Sequence, residues 1–443
     1  MKIGFISLGC AKNLTDTESM IGILNNFKIT NDASDADVIV VNTCAFIDSA
    51  KEESISAILD MAKYKESGKC KMLIVTGCLA QRYKDEIFSL LPEVDAVLGT
   101  NDYNKIAQVI NDFLENHKKI INVSNENDHI KDDIKRVVST PSHYAYLKIA
   151  DGCDNRCTYC IIPKLRGNFK SRSEESILKE ANELVKNGAK ELILVAQDTA
   201  YYGADRGERT LHLLLKKLSQ IEGLKWIRLQ YCYPENITDE LICEIANNEK
   251  VVKYIDMPLQ HISDNILRKM GRKSREEEIK DLIKTLREKI PDIVIRTSLI
   301  VGFPGETNDD FKKLSSFLEE AHLDKVGVFA YSKEEGTPAY SFDDQIEDNV
   351  KEKRRKALMK IQKGISKKNN KRKIGKIVSV IVEDYDFDEY CYVGRTYGDT
   401  PDVDGMAYIF SKTELERGSI VNMKVLNADE YDVTGEVVNE FTK

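Results

Sequence analysis

Apolar positions along this chain follow three successive rhythms. Over residues 1–115, short unbroken apolar runs, KIGFIS, DVIVVN, MLIVTG and AVLG, are separated by stretches with helical spacing. Runs of this kind predict strands buried on both faces, and their alternation with helices predicts βα units on a parallel sheet. Over residues 141–345 the rhythm returns six times, in YAYLKIA, ELILVA, KWIRLQY, YIDM, IVIRTSLIV and KVGVFAY. Six such units predict a partial (βα)6 barrel of the TIM type, with its chemistry in the loops at the strands' C-terminal ends. Over residues 373–443 the period shortens to two. Five alternating segments, IVSVIVED, EYCYVGR, GMAYIF, SIVNMKVLN and YDVTGEVV, predict a small antiparallel β-barrel. The fold class is therefore α/β with a C-terminal all-β barrel.

Two connecting segments separate these blocks. Residues 116–140 are polar and aperiodic and read as a linker. Residues 346–372 read as a basic helix whose Val350, Leu358, Ile361 and Ile365 form one weakly apolar face.

Composition narrows the class. With 443 residues, 42% hydrophobic and 31% charged, the chain is too long for one ordinary domain. No stretch approaches a continuous membrane span, and the opening MKIGFISLGC is too short for a secretory signal. A cytoplasmic protein with no membrane partner is expected. In a reducing compartment its ten cysteines are metal ligands or core residues rather than disulfides. Net charge is −8, which gives no support to general nucleic-acid binding. The charge is unevenly spread: Ile377 to Lys443 holds five Lys/Arg against fifteen Asp/Glu, a balance of −10, which leaves +2 for the remainder. Just before it, Lys351 to Lys376 carries thirteen basic residues and one acid, Glu352.

The chemistry is signalled by DGCDNRCTYCIIP, where Cys153, Cys157 and Cys160 are spaced C-x₃-C-x₂-C in the loop after the first barrel strand. A structural zinc site would need a fourth Cys or His close by. The histidines, at 117, 129, 143, 212, 261 and 322, show no paired spacing. Thiolate ligation of an iron–sulfur cluster fits better. With three ligands, one iron of a 4Fe–4S cube stays open to substrate.

Cys10, Cys44 and Cys78 each lie just past the end of a predicted strand in the first block. Parallel strands place those ends on one edge, where open α/β sheets bind ligands, so three thiols converge there. Singly, each would read as a buried small hydrophobe; together they point to a second cluster. The 34-residue separation could also mark a helical repeat, but the units are strand–turn–helix, which argues against one. Cys70, Cys232, Cys243 and Cys391 match no motif and read as structural. The chain has no G-x₄-G-K-[ST] loop, so nucleotide hydrolysis is unsupported.

C-x₃-C-x₂-C with Tyr159 before the last cysteine resembles the radical S-adenosylmethionine (SAM) loop. GCAKN, NTCAFI and TGCLAQ resemble the N-terminal motifs of the radical SAM methylthiotransferases. The likeness extends over essentially the whole chain and implies an auxiliary-cluster domain, a radical SAM core and a C-terminal TRAM barrel. It implies two 4Fe–4S clusters, one held by Cys153, Cys157 and Cys160 and one by Cys10, Cys44 and Cys78. SAM would chelate the open iron of the first and be cleaved to a 5′-deoxyadenosyl radical. The auxiliary cluster is implicated in supplying or carrying the inserted sulfur. No side chain is assigned as catalytic, since the chemistry is the clusters'. GFPGE (Gly302, Phe303, Gly305, Glu306) matches the family's SAM-contacting loop, its glycines permitting close backbone approach. Gln197 and Asp198 are SAM contacts by position, with a turn cap as the competing reading.

Two groups of this family compete. One modifies an adenosine derivative of transfer RNA, the other an aspartate of small-subunit ribosomal protein S-twelve. SLGCAKNL, YIDMPLQHISDNIL, VGRTYGDTPDVDG and ADEYDVTGEVV resemble the second, although TDTE stands where VDSE is usual. Charge favours the same group. A barrel that grips RNA should present Lys and Arg to phosphates, whereas this one is acidic and would attract a basic ribosomal protein. Acids that merely keep the surface soluble are the bland alternative, and the basic helix argues weakly for RNA. The expected partners are that ribosomal protein, an external electron donor and a sulfur donor. A non-catalytic RNA-binding module stapled by zinc is the alternative of another class.

Overall fold

The computed structural model describes residues 1–124 and 135–438. Strands β1 (Lys2–Ser7), β2 (Lys28–Thr30), β3 (Val38–Thr43), β4 (Met72–Gly77), β5 (Ala96–Leu98) and β6 (Ile120–Asn122) form a parallel sheet ordered β2-β1-β3-β4-β5-β6. β3 and β4 are buried along their whole length because helices cover both faces. Ile39, Val41, Leu73 and Val75 face one core, and Val38, Val40, Met72 and Ile74 face the other. The edge strands β2 and β6 escape the periodicity because three partly exposed residues are too few to show one. β6 lies within the predicted linker, whose residues 125–134 are outside the described residues.

The second block holds β7 (Tyr144–Lys148), a two-residue pair β8 (Ala150–Asp151) and β9 (Lys170–Ser171), then β10 (Glu191–Val195), β11 (Trp226–Leu229), β12 (Val251–Asp256), β13 (Val294–Val301) and β14 (Lys325–Ala330). The six long strands are parallel in the order β14-β13-β12-β11-β10-β7, and edges β7 and β14 do not pair. The barrel is open. Along β10, Leu192 and Leu194 pack outward under the helices, while Ile193 and Val195 line the inner face with Tyr144 and Tyr146. The unpaired edges are bridged near the mouth by the N-terminal domain. Asp16 meets Lys148 of β7, while Arg82 and Lys51 reach Glu334, in the loop after β14.

Strands β15 (Ile377–Asp386), β16 (Cys391–Thr396), β17 (Ala407–Phe410), β18 (Ile420–Ala428) and β19 (Val433–Val437) close a barrel ordered β15-β16-β17-β19-β18. Its pairs are antiparallel except β17–β19, which run parallel. The loop after β16 stoppers the opposite, N-terminal end of the open barrel. Arg228 donates to the Tyr397 carbonyl (2.7 Å), Gln230 to Thr400 (2.6 Å) and Lys325 to Asp399 (2.6 Å). Glu191, fully buried, takes Arg228 on one oxygen and Arg395 on the other.

The basic helix spans Asp348–Lys371 and buries Leu358 and Ile365 as its apolar pattern requires. It is not wholly a solvated charged face, for Lys351 and Arg354 turn inward, and Arg354 pairs with Glu306 at 2.9 Å. Cys70, Cys232 and Cys391 are buried, but Cys243 is exposed on the helix Asp239–Asn247. Among the described residues no helix is long and apolar enough to cross a membrane.

Removing one partner of a buried ion pair leaves a charge stranded in the interior. Arg395→Ala is therefore expected to lower stability by about 3 kcal/mol, read as a fall in melting temperature. Substituting the exposed Arg417 should change it little.

Candidate active site

β1, β3 and β4 are neighbours in the parallel sheet, so the turns that follow them lie side by side. Cys10 caps α1 (Ala11–Ile23), Cys44 follows β3, and Cys78 opens the helix Cys78–Leu90. Glycine makes this crowding possible at two points. Gly9 (φ 87°) would place a Cβ 2.8 Å from that of Cys44, and Gly77 (φ 90°) would place one 2.2 Å from Asn42 Oδ1. Asn13 ties the three ends together: its amide nitrogen donates to the carbonyls of Leu8 (3.0 Å) and Thr43 (2.9 Å), and its oxygen lies 3.9 Å from Cys78 Sγ. The Cys44 N–H donates to Ser54 Oγ, whose hydroxyl donates back to the Cys44 carbonyl. Burial pushes the Cys78 thiol up to about 12 and also raises Cys44. Burial would raise Cys10 too, but Lys12, Arg166 and nearby backbone N–H groups bring it below the ordinary thiol value.

The second thiol set sits in the loop between β8 and the short helix Ile162–Arg166. Cys153 and Cys157 are buried and Cys160 half-buried. The loop is pinned from several sides. Cys153 N–H donates to the Gly167 carbonyl (3.0 Å), Thr158 N–H to the Met270 carbonyl (2.9 Å), and Asn155 to Asp198 (3.0 Å). Burial pushes the Cys153 thiol up to about 12, with Cys157 adding to the rise. Ligation requires deprotonation of such groups, which a bound metal supplies. Among the described residues no three His, Cys, Asp or Glu side chains gather closely enough to hold a single metal ion. A cube places each thiolate on its own iron, so two spaced sets of three thiols suit a cluster better than an ion.

Polar atoms without partners surround this loop. Gln197 Oε1 and Nε and Nη1 of Arg272 are buried with no hydrogen-bond partner among the described residues, and the buried Tyr159 Oη has at most the Cys157 thiol beside it. Arg272 stacks over Tyr233 (4.1 Å), whose hydroxyl is 3.9 Å from Cys157 Sγ. Such groups fit a site whose polar ligand completes them. Tyr159 packs edge-on to Phe303 (6.4 Å) in a cluster with Ile266, Met270 and Tyr331, so two of the predicted SAM-contact residues share one wall. Gly302 and Gly305 both adopt positive φ (72° and 75°). Glu306 points into the protein, accepting N–H bonds from Gly302 and Phe303 and pairing with Arg354. Asp198 is fully buried and braces the loop through Asn155, Asn236 and the Tyr233 N–H. Burial pushes its carboxyl up to about 6. Gln197 donates to Asp151 at 2.8 Å, leaving its oxygen unpartnered.

Sequence reasoning missed the network that joins the two thiol sets. Arg166, fully buried, donates to Asn13 (2.7 Å), Asp16 (2.9 Å) and Asp151 (2.9 Å), and Lys148 also meets both carboxylates. Burial would raise the Asp151 carboxyl, yet Arg166 and Lys148 hold it well below the usual carboxylate range. Ile161 and Leu165, just after Cys160, pack in the N-terminal core beside Cys78. The two sets therefore stand on either side of one seam. The only local signal was the closeness of Asn13 and Asp151 to cysteine motifs.

Arg166→Met should destabilise the protein by about 3–5 kcal/mol, since two buried carboxylates lose a shared cation; thermal unfolding of the purified variant measures this. His261 is fully buried behind the Gly302 loop, its Nδ1 accepting from the Ser263 N–H. Burial pushes its pKa from 6.5 down to about 3. Below 6.5 the unfolded chain takes up a proton that the folded one refuses. Stability should fall as pH drops from 6.5 toward 3, by up to about 1.4 kcal/mol per pH unit. His261→Gln should flatten that part of the stability–pH curve.

Comparison with known proteins places families on the three blocks. Residues 147–318 match the Radical SAM superfamily, residues 2–99 the Uncharacterized protein family UPF0004, and residues 374–438 the TRAM domain. Relatives named ribosomal protein uS12 methylthiotransferase RimO occur in Clostridium botulinum (strain Eklund 17B / Type B), Acetivibrio thermocellus and Clostridium acetobutylicum. Each is 52% identical, over 100% of this chain and 99% of the relative. Two solved structures share the fold. The radical SAM methyltransferase TsrM from Kitasatospora setae has a TM-score of 0.57 and 12% identity, over 74% of this chain and 72% of that one. The cobalamin-dependent SAM radical enzyme OxsB has a TM-score of 0.51 and 14% identity, over 80% and 56%. The chain is a radical SAM methylthiotransferase and belongs to the RimO family.

Proposed function

We propose that this enzyme replaces a C–H bond at the β-carbon of one aspartate in ribosomal protein uS12 with a C–S–CH₃ group. One SAM would be cleaved to the radical that removes the hydrogen, and another would give the methyl group. The observation that carries the reading is the closeness of two three-thiol sets across one seam, in a chain whose full-length relatives bear the uS12 methylthiotransferase name.

In this reading Cys153, Cys157 and Cys160 hold the radical-generating 4Fe–4S cluster, and Cys10, Cys44 and Cys78 hold a second, sulfur-handling one. When bound and reduced, the first cluster supplies the electron that breaks a SAM carbon–sulfur bond. The protein's own part is to bind, orient and exclude water. Tyr159 and Phe303 would wall the cofactor, and the Gly302 and Gly305 backbone would approach it closely. Gln197 would offer its unpartnered oxygen, while Asp198 and Glu306 brace the loops that carry these contacts. The work divides among residues 1–115, 141–345 and 373–443, in the cytoplasm, with electrons and sulfur from external donors.

Charge supports a protein substrate. The hairpin joining β15 and β16 exposes Phe387 (79%) and Tyr390 (78%) among Asp384, Asp386, Asp388 and Glu389. An acidic, aromatic tip suits a basic protein and repels phosphates. The inward turn of Lys351 and Arg354 removes two cations from any surface that transfer RNA would use.

Reconstituted without oxygen, the enzyme should bind about eight irons per chain, since each cube holds four, and Cys44→Ala about four. Mass spectrometry of uS12 from cells with and without the enzyme should differ by one methylthio group on a single aspartate. About four irons in the unmodified chain would defeat the two-cluster reading, and unchanged uS12 the substrate.

A further inference from the structure

The first turn of α1 enters the inner face of the open barrel, where Ala11 and Leu14 pack with Tyr144, Tyr146, Ile193, Val195 and Tyr231. Lys12 lies in that turn, 8% exposed, with its ammonium 3.5 Å from the centroid of the Tyr231 ring. Tyr231 sits just past β11 in a left-handed conformation (φ 60°), its N–H 3.3 Å from Asp256 Oδ2. The ammonium thus stands where the cysteine-bearing edge of the N-terminal sheet meets the barrel mouth.

Neighbouring buried cations are matched by carboxylates. Lys148 and Arg166 share Asp16 and Asp151, and Arg296 pairs with Asp256 at 2.8 Å. Arg272, which also has unpartnered nitrogens, stacks on Tyr233 beside the three-cysteine loop instead. Lys12 has no carboxylate within ion-pair distance among the described residues; the Tyr231 ring lies against it and the Cys10 thiol nearby, with the charges of Arg166 and Asp151 beyond ion-pair reach. Burying an ammonium without an anion is costly, and a ring face compensates only in part. The arrangement is completed when an anion enters the mouth.

We propose that Lys12 receives the side-chain carboxylate of the target aspartate and so selects aspartate over its uncharged amide. This rests on the substrate reading above. The reacting β-carbon is bonded directly to the carboxyl carbon, so both groups must enter the mouth together. A carboxylate leaving water needs a cation to meet it, and a charge-assisted contact is the strong kind. Asparagine has the same shape but no charge.

The test is equilibrium binding, without oxygen and with SAM present, of recombinant uS12 and of uS12 carrying asparagine at the target position. Wild type should bind the aspartate form about tenfold to a hundredfold more tightly than the asparagine form. Lys12→Met should bind the two equally, while keeping wild-type iron content and cluster EPR spectrum. Lys12→Arg, which keeps the charge, should retain most of the preference. No preference in wild type, or full preference in Lys12→Met, would overturn the assignment. So would Lys12→Met that loses iron or shifts the spectrum yet still discriminates, since Lys12 would then serve only to neutralise the thiolate side. Failure of the substrate reading looks different: wild type would leave uS12 unmodified whichever form it bound.

Discussion

Asp16 and Asp151, held between Lys148 and Arg166, form the charged joint between the N-terminal sheet and the open barrel. One carboxylate comes from the N-terminal domain and the other from the edge of the three-cysteine loop. Asp16, Lys148 and Arg166 are buried and Asp151 is half-buried, so each charge is tolerable only while the others stay in place. That mutual dependence makes the seam rigid in geometry rather than generous in energy. It brings the domain of Cys10, Cys44 and Cys78 against the loop carrying Cys153, Cys157 and Cys160.

An open barrel leaves two unpaired edges and a polar lumen, and this protein deals with each differently. The N-terminal domain spans the gap near the mouth, gripping the β7 side through Asp16 and the far side through Glu334. The C-terminal barrel stoppers the opposite end with its 396–404 loop, whose partners are Arg228 of β11, Gln230 just past that strand and Lys325 of β14. The lumen is thus closed by flanking domains rather than by a full ring of strands.

The basic helix shows how charge on a sequence can mislead about charge on a surface. Thirteen basic residues suggested a solvated or RNA-binding face, but part of that charge is structural. Arg354 holds Glu306, and Glu306 in turn holds the Gly302 and Phe303 backbone. The helix thus braces, from behind, the loop proposed to contact SAM. Glu306 reads from sequence either as a cap of the following helix or as a cofactor contact; within the protein its carboxylate takes the Gly302 and Phe303 N–H groups and Arg354.

Sequence alone determined the three-block architecture, because buried parallel strands and alternating barrel strands carry distinct periods that survive without tertiary information. It also singled out two sets of three cysteines, since C-x₃-C-x₂-C is local and strand-end thiols of neighbouring parallel strands fall on one edge. The short edge strands β2 and β6 were invisible, being too short to carry a period. The seam was invisible for another reason. Asp16, Lys148, Asp151 and Arg166 are ordinary charged residues in sequence, and only the folded chain buries them against one another. The surroundings of Lys12 were likewise decided by tertiary structure, because a lysine beside a cysteine becomes an unmatched cation only when another domain's aromatic ring closes over it.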